Sequence, residues 1–304
     1  MKTSLNPLAI LIFLALTLIW GSSFILIKKG LMVFDPYQLG SLRIIITFLA
    51  LLPFSIRYLR MVKKKEWLVL AVSGSLGSFF PAYLFALAQQ GVNSSTAGIL
   101  NSLTPLFTLS IGVLFFSFKA RWWNYFGIII TFIGTYGLLT VSGGQDISFN
   151  AKYGSLIIIA SLFYGIQVNI IKYLLSHIPS INLVAIQFFI IGFPALIVLF
   201  FFTNFTQIAS FEPDFLEGLL YVGILSLVAT ALALILFYRL VKLVDPVFSS
   251  SVTYFIPAIA TLWGIIDGEK IGSTYFIFVT IILLGVFLIN NRELKIVKRF
   301  QANK

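Results

Sequence analysis

Cysteine is absent from this chain, so disulfide staples, thiolate metal sites and cysteine nucleophiles are excluded. Histidine occurs once, at His177, which leaves no material for a histidine-based triad or a zinc site inside a membrane. Charge is scarce as well. Asp, Glu, Lys and Arg make up 10% of the residues, where a soluble protein of ordinary composition carries roughly a quarter. No carboxylate falls in the middle of an apolar stretch, since Asp35, Glu66, Glu217 and Asp267 all lie near ends. A buried carboxylate pair for acid–base work is therefore missing. That argues against an enzyme, and it removes the usual device for proton coupling. Neither a cofactor nor a metal is expected.

What the chain has instead is apolar surface. Of its 304 residues 59% are hydrophobic, and the mean hydropathy is +1.02. Such a chain cannot cover a water-facing globule, and its first partner is the lipid bilayer. The formal net charge of +11 would suggest nucleic acid in a soluble protein. Here the excess belongs to loops, and no nucleic-acid partner is expected. Lys2 followed by the apolar run from Leu8 looks like the start of a signal peptide. The run continues past Trp20 and Ile27 without a small-x-small cleavage site, so it reads as a first spanning helix.

A spanning helix needs about 20 mostly apolar residues. Ten stretches qualify: 8–28, 37–56, 67–89, 95–117, 123–141, 153–173, 182–202, 215–238, 247–266 and 273–291. The breaks carry turn or charge signals, among them Asp35-Pro36, Asn93-Ser94, Ser142-Gly143-Gly144, Pro179-Ser180 and Asp245-Pro246. No gap is wide enough for a soluble domain. With the N-terminus in the cytoplasm, the inner segments hold Lys2, the cluster from Arg57 to Lys65, Lys119, Arg121, Lys172, Arg239, Lys242 and the tail from Arg292 to Lys304. The outer segments hold only Lys28, Lys29, Lys152 and Lys270. Basic residues concentrate on the cytoplasmic side of membrane proteins, so both termini are expected inside.

The two halves, 1–145 and 146–304, resemble each other. At an offset of 144, Trp20-Gly21 falls on Tyr164-Gly165, Lys28 on Lys172 and Arg43 on Gln187. At an offset of 152, Asn101 falls on Thr253, Pro105 on Pro257 and Gly112 on Gly264. Five helices per half is an odd number, which turns the second half upside down relative to the first. The expected fold is an all-α membrane protein of ten transmembrane helices in two inverted five-helix repeats. Inverted repeats recur in secondary transporters, where one central site opens to either side in turn.

In hydrocarbon a polar side chain must face a partner or a cavity. Arg43 is the one clearly charged residue well inside a helix. It can contact an anionic group of a substrate, serve in an ion-pair strut, or snorkel to the headgroups two turns away. Asn101, Thr104, Thr108 and Gly112 fall on one helical face beside Pro105, and Ser249, Ser250, Thr253 and Gly264 occupy the equivalent stretch beside Pro257. The two prolines are expected to bend their helices and free backbone carbonyls. Trp20, Gly21, Phe24 and Lys28 share a side of the first helix, matched by Tyr164, Gly165 and Gln167 in the sixth. The small patch Ser73, Gly74, Gly77 and Ser78 reads as close helix packing.

This ordered set resembles the EamA family of the drug/metabolite transporter superfamily. The residues that carry the likeness are Leu18-Ile19-Trp20-Gly21-Ser22-Ser23-Phe24, Leu42-Arg43-Ile44, Leu103-Thr104-Pro105-Leu106-Phe107, Ile256-Pro257 and Gly268-Glu269. One departure is Ser117-Phe118-Lys119, where the family often repeats Gly-Glu after the fourth helix. The resemblance implies an exporter or exchanger of amino acids or related small metabolites in a bacterial inner membrane. It also implies a V-shaped arrangement around a central cavity, with helices five and ten at the periphery. The substrate-binding candidates are Trp20, Ser23, Arg43, Asn101, Thr104, Gln167, Thr253 and Tyr254. Arg43 is cast for a carboxylate, amides and hydroxyls for orientation, and aromatics for walls. The chain is expected to work as a monomer or weak homodimer. The alternative from another class is a lipid-handling flippase subunit or a passive pore.

Overall fold

The computed structural model describes residues 7–142, 151–207, 214–268 and 274–290. Lys2, Gly143, Gly144, Glu269, Lys270 and the basic tail from Arg292 to Lys304 lie outside the described residues. Among the described residues the chain is helical and contains no strand. Eight helices are long and apolar enough to cross a membrane by length and composition. Their outer faces expose Leu68, Leu114, Phe201 and Leu216 at 73% or more. A water-soluble surface does not carry such a continuous apolar coat, whereas lipid accepts it. The protein is a multi-pass membrane protein.

Several helices begin where a side chain closes the first turn. In α1 (Pro7–Gly30) the apolar run continues to Lys28 and Lys29. Asp35 caps α2 (Pro36–Tyr58), accepting from the backbone N–H of Tyr37 and Gln38, while the Gln38 side chain accepts from the Asp35 N–H. Next come α3 (Trp67–Gly74) and α4 (Phe80–Ala88), joined by a π-helical turn over Ser75–Phe79. Pro81 explains this turn in part, since a proline has no N–H to continue the α register.

The fourth stretch is interrupted by a turn. The span expected over 95–117 is present as Thr96–Phe115, but the turn divides it into α5 (Ser94–Asn101) and α6 (Thr104–Phe115). Pro105 sits in the first turn of α6, where a missing N–H costs least. The Asn101 carbonyl it cannot serve is taken by the Thr104 hydroxyl at 2.8 Å. After α7 (Trp122–Ser142) the pattern repeats through α8 (Ala151–Tyr173), α9 (Ser180–Phe201) and α10 (Phe215–Ser226). A second π-helical turn, Leu227–Leu232, leads into α11 (Ala233–Leu243). Then α12 (Pro246–Ser250) passes through a 3₁₀ turn at Ser251–Tyr254 into α13 (Ile256–Ile266), so the span expected over 247–266 is interrupted as well. The last described helix is α14 (Thr274–Asn290).

These irregularities fall at matched places. Asn93 caps α5 and Asp245 caps α12, each accepting from a backbone N–H three residues on. Helix contacts also cross between the halves: α1 packs on α13 as α8 packs on α6, and α2 lies along α9. Both crossings pass over glycine. A Cβ on Gly21 would meet the Ile259 side chain at 2.4 Å, and one on Gly165 would meet the backbone of Phe107 and Thr108 at 2.8 Å. Helices α7 and α14 pack chiefly on each other, to one side of the main core.

Gly165→Ala is expected to destabilise the fold by about 1–3 kcal/mol, because a backbone cannot yield as a side chain can. Gly223→Ala, with nothing within 4 Å of the added carbon, is the matched control. Thermal unfolding of both variants in detergent checks this, with a lowered midpoint expected for the first alone.

Candidate functional site

The irregular turns converge on one internal cavity. It is lined from both halves: Trp20, Ser23 and Phe24 from α1, Arg43 from α2, Gly77 and Ser78 from the first π turn, and Asn101 and Thr104 from the first break. The second half adds Tyr164 and Gln167 from α8, Ala229 and Thr230 from the second π turn, Phe237 from α11, and Ser250 and Thr253 around the second break. Its volume is about 80 Å³. Of the sequence candidates, Trp20, Ser23, Arg43, Asn101, Thr104, Gln167 and Thr253 meet at this cavity. Tyr254 does not. It is buried beside Ile99, Leu109, Val247 and Ile282 in a separate cluster, with its hydroxyl on Thr131 of α7.

The polar groups hold the irregular backbone open. Trp20 Nε1 donates to the Ala229 carbonyl at 3.1 Å, inside the second π turn. Thr47 donates to the Ser226 carbonyl at 3.0 Å. Arg43 is turned inward, its Nε donating to Thr230 Oγ1 at 2.8 Å. Among the described residues no carboxylate pairs with Arg43, and none lines the cavity. The snorkelling and ion-pair readings of this arginine are therefore not what the fold adopts. It is a cation at a cavity wall, bonded to a neutral hydroxyl.

On the other side of the cavity a chain of side chains links four helices. Gln167 Nε2 donates to the Tyr238 hydroxyl at 2.6 Å, Tyr238 donates to Gln187 Oε1 at 2.7 Å, and Gln187 Nε2 donates to Ser73 Oγ at 2.8 Å. Gln187 is the sequence counterpart of Arg43, so the two matched positions play different parts. Gly77 gives Gln167 its room, since a Cβ there would lie 1.9 Å from Nε2. The aromatic wall is made by Trp20 against Phe237, with ring centroids 5.0 Å apart, and Phe85 against Tyr164 at 6.0 Å.

Several residues escaped the sequence reading. Ser73, Gly74, Gly77 and Ser78 are divided between packing and the cavity rather than forming one packing patch. Thr108 and Gly112 lie past the break and pack on α8, where Asn169 Nδ2 donates to the Thr108 carbonyl at 2.9 Å. Thr230, Phe237 and Tyr238 carry no signal of their own in the sequence, whereas Ser250 belongs to the stretch matched to Asn101 and does line the cavity. Applying the offset of 152 to Ser78 would have found Thr230. No group of three or more metal-ligating side chains is present among the described residues.

Ion pairs sit at the helix ends. Asp267, just past α13, binds Lys28 at 2.5 Å and Lys29 at 3.0 Å, tying the end of α1 to the end of α13. Hydrogen bonds from these lysines hold its carboxyl below the usual aspartate range. His177 pairs with Glu66 at 2.9 Å, and Lys172 caps the carbonyls at the end of α11, Val244 among them at 2.7 Å.

Comparison with known proteins gives a consistent picture. The EamA-like transporter family model matches residues 7–140 and 152–291. The chain is 26% identical over 285 residues to the uncharacterized inner membrane transporter YedA of Escherichia coli (strain K12), covering 90% of this chain and 88% of that protein. It is 30% identical over 235 residues to the uncharacterized transporter YetK of Bacillus subtilis (strain 168), covering 74% and 68%. An uncharacterized transporter of Archaeoglobus fulgidus is 27% identical over 263 residues, covering 83% of this chain and 87% of its own. A protein of known crystal structure superposes with a TM-score of 0.70 at 16% identity, over 96% of this chain and 98% of its own. At that identity the likeness concerns the fold alone.

The Asp267 ion pairs carry a defined pH dependence. A carboxyl whose folded pKa is depressed adds stability above its unfolded value, near 3.9, and loses it as pH falls through the folded value. The stability difference between the wild type and Asp267→Asn should be constant from about pH 8 to pH 5 and should close below about pH 4. Unfolding midpoints in detergent across that range check the sign.

Proposed function

This chain belongs to the EamA-like transporter family, and on that premise we propose that it is a secondary transporter of amino acids or related small metabolites in the inner (plasma) membrane, working by alternating access. The inner-membrane assignment follows the relative YedA. The transport assignment follows the family and the named relatives together. The architecture we infer is ten spans in two inverted repeats, 1–145 and 146–304, with both termini cytoplasmic. Three features support it: the family model matches two segments of similar length, π turns and helix breaks recur at an offset of 152, and α1·α13 mirrors α6·α8. Two of the ten spans in this reading are α7 and α14.

The observation that carries the reading is a central cavity where interrupted helices from both halves meet around Arg43. Irregular backbone is tolerated at membrane depth where it lines a cavity, and broken helices mark substrate sites in transporters with repeats. In this account Trp20, Ser23, Arg43, Asn101, Thr104, Gln167 and Thr253 contact the substrate. Pro105 and Pro257 restart the helices that present it. Tyr254 is left out, because it packs away from the cavity. A single chain encloses the site. Exchange in either direction is compatible with this geometry, so export and exchange are one proposal.

Counterflow of labelled amino acids and related metabolites in proteoliposomes tests it. Saturable exchange is expected for the purified protein. Asn101→Ala and Thr253→Ala should each lower kcat/KM by tenfold or more, equivalent to about 1.4 kcal/mol. Unchanged kinetics in both variants would contradict the site. Rates that never saturate would point to a pore.

A further inference from the structure

The hydrogen-bonding groups around the cavity are unequally spent. The hydroxyls of Ser23, Thr104, Ser250 and Thr253 all donate to backbone carbonyls three residues back, at 2.6–3.0 Å. Gln167 Nε2 is committed to Tyr238. Four donors are unspent among the described residues: Arg43 uses only Nε, the Ser78 hydroxyl has no partner although the residue is 7% exposed, and neither the Asn101 amide nitrogen nor the Tyr164 hydroxyl makes a hydrogen bond. Of these, Arg43 carries the charge and Ser78 is the buried orphan.

The contrast with the matched positions sharpens this. Thr230, the counterpart of Ser78, donates to the Leu225 carbonyl at 2.8 Å and accepts from Arg43. Gln187, the counterpart of Arg43, is saturated by Tyr238 and Ser73. At these matched positions the second half is closed and neutral, whereas the first has an unspent hydroxyl and, among the described residues, a cation with no carboxylate partner. An unmade hydrogen bond at this depth is costly, and an uncompensated guanidinium more so. An anionic ligand group resolves both.

We propose that the cavity holds a small organic anion, its single carboxylate bound between the Arg43 guanidinium and the Ser78 hydroxyl and its apolar body against Trp20, Phe85 and Phe237. This rests on the transporter reading above, and it narrows the substrate. The carboxylate is required and an ammonium is not. Among the described residues no carboxylate lines the cavity, so an ammonium finds neutral oxygen lone pairs and aromatic faces there, opposed by the like charge of Arg43. Ser78 is thus a specificity-determining residue. The matched position does not repeat this seat, because Gln187 is neutral and already bonded to Tyr238 and Ser73.

The experiment uses three probes of one shape: 4-methylpentanoate, its neutral amide, and 3-methylbutylamine. Each is titrated against the purified full chain in detergent, with the thermal shift as readout, and each is then tried in counterflow. The carboxylate is expected to bind, and the amide and amine to bind at least about tenfold more weakly. Ser78→Ala should weaken the carboxylate about tenfold, since a hydrogen bond to a charged group is lost. Ser78→Thr should restore it, because Thr230 shows that a π turn of this kind accepts threonine. Equal shifts from all three probes, or Ser78→Ala binding the carboxylate as the wild type does, would overturn the proposal. Saturable counterflow of the amine or amide with none of the carboxylate would overturn it too, while leaving the transporter reading intact. Failure of saturable exchange for every solute, these three and the amino-acid panel alike, would bring down both.

Discussion

A backbone carbonyl or N–H inside hydrocarbon has no water to bond, and every departure from the α-helix must be repaired by a named partner. The rest of this structure follows from that constraint. The chain departs from the α register at two breaks and two π turns, and side chains take up carbonyls at the breaks and at the second π turn. Thr104 takes the carbonyl that Pro105 leaves. Trp20 takes that of Ala229, and Thr47 reaches Ser226. The last two bonds run from the first half of the chain into the second. The halves are thus joined through the irregular backbone itself, and the cavity lies where they join.

The same logic gives the site its polarity. Small residues allow the close approach: Gly21 and Gly165 let helices cross, and Gly77 admits Gln167. Aromatic residues close the walls. What remains is one guanidinium and a handful of hydroxyls and amides, with no carboxylate facing them among the described residues. A fixed positive charge without a partner is a poor structural element, because its desolvation is repaid only by a counter-charge. It is a good recognition element when the counter-charge arrives with the solute.

The spans were legible in the sequence because hydropathy and turn residues report length and ends. The stretch 37–56 corresponds to Pro36–Tyr58, and 153–173 to Ala151–Tyr173. Seven of the cavity-lining residues were legible because a polar group in an apolar helix has few reasons to be there. The interruptions were less so. Pro105 and Pro257 signalled the breaks, yet they mark a restart of the helix rather than a bend within it. Pro81 could have flagged the first π turn, but nothing in Leu227–Leu232 signals the second, since a shift in hydrogen-bond register leaves the apolar pattern intact. Tyr254 was misplaced for the same reason. The 3₁₀ turn rotates successive side chains by a different angle, sending Thr253 to the cavity and Tyr254 to the cluster beneath α7.

Absence of cysteine makes the central claim directly measurable, because one introduced thiol reports alone. Ala229 lines the cavity at the second π turn. In Ala229→Cys, reaction with a membrane-impermeant thiol reagent can be timed from each side of sealed vesicles, with and without Asp267→Asn. If the cavity opens to one side at a time, loosening the Asp267 end raises the rate from that face and lowers the rate from the other. A rise from one face with no change at the other, or a rise from both, would contradict alternating access.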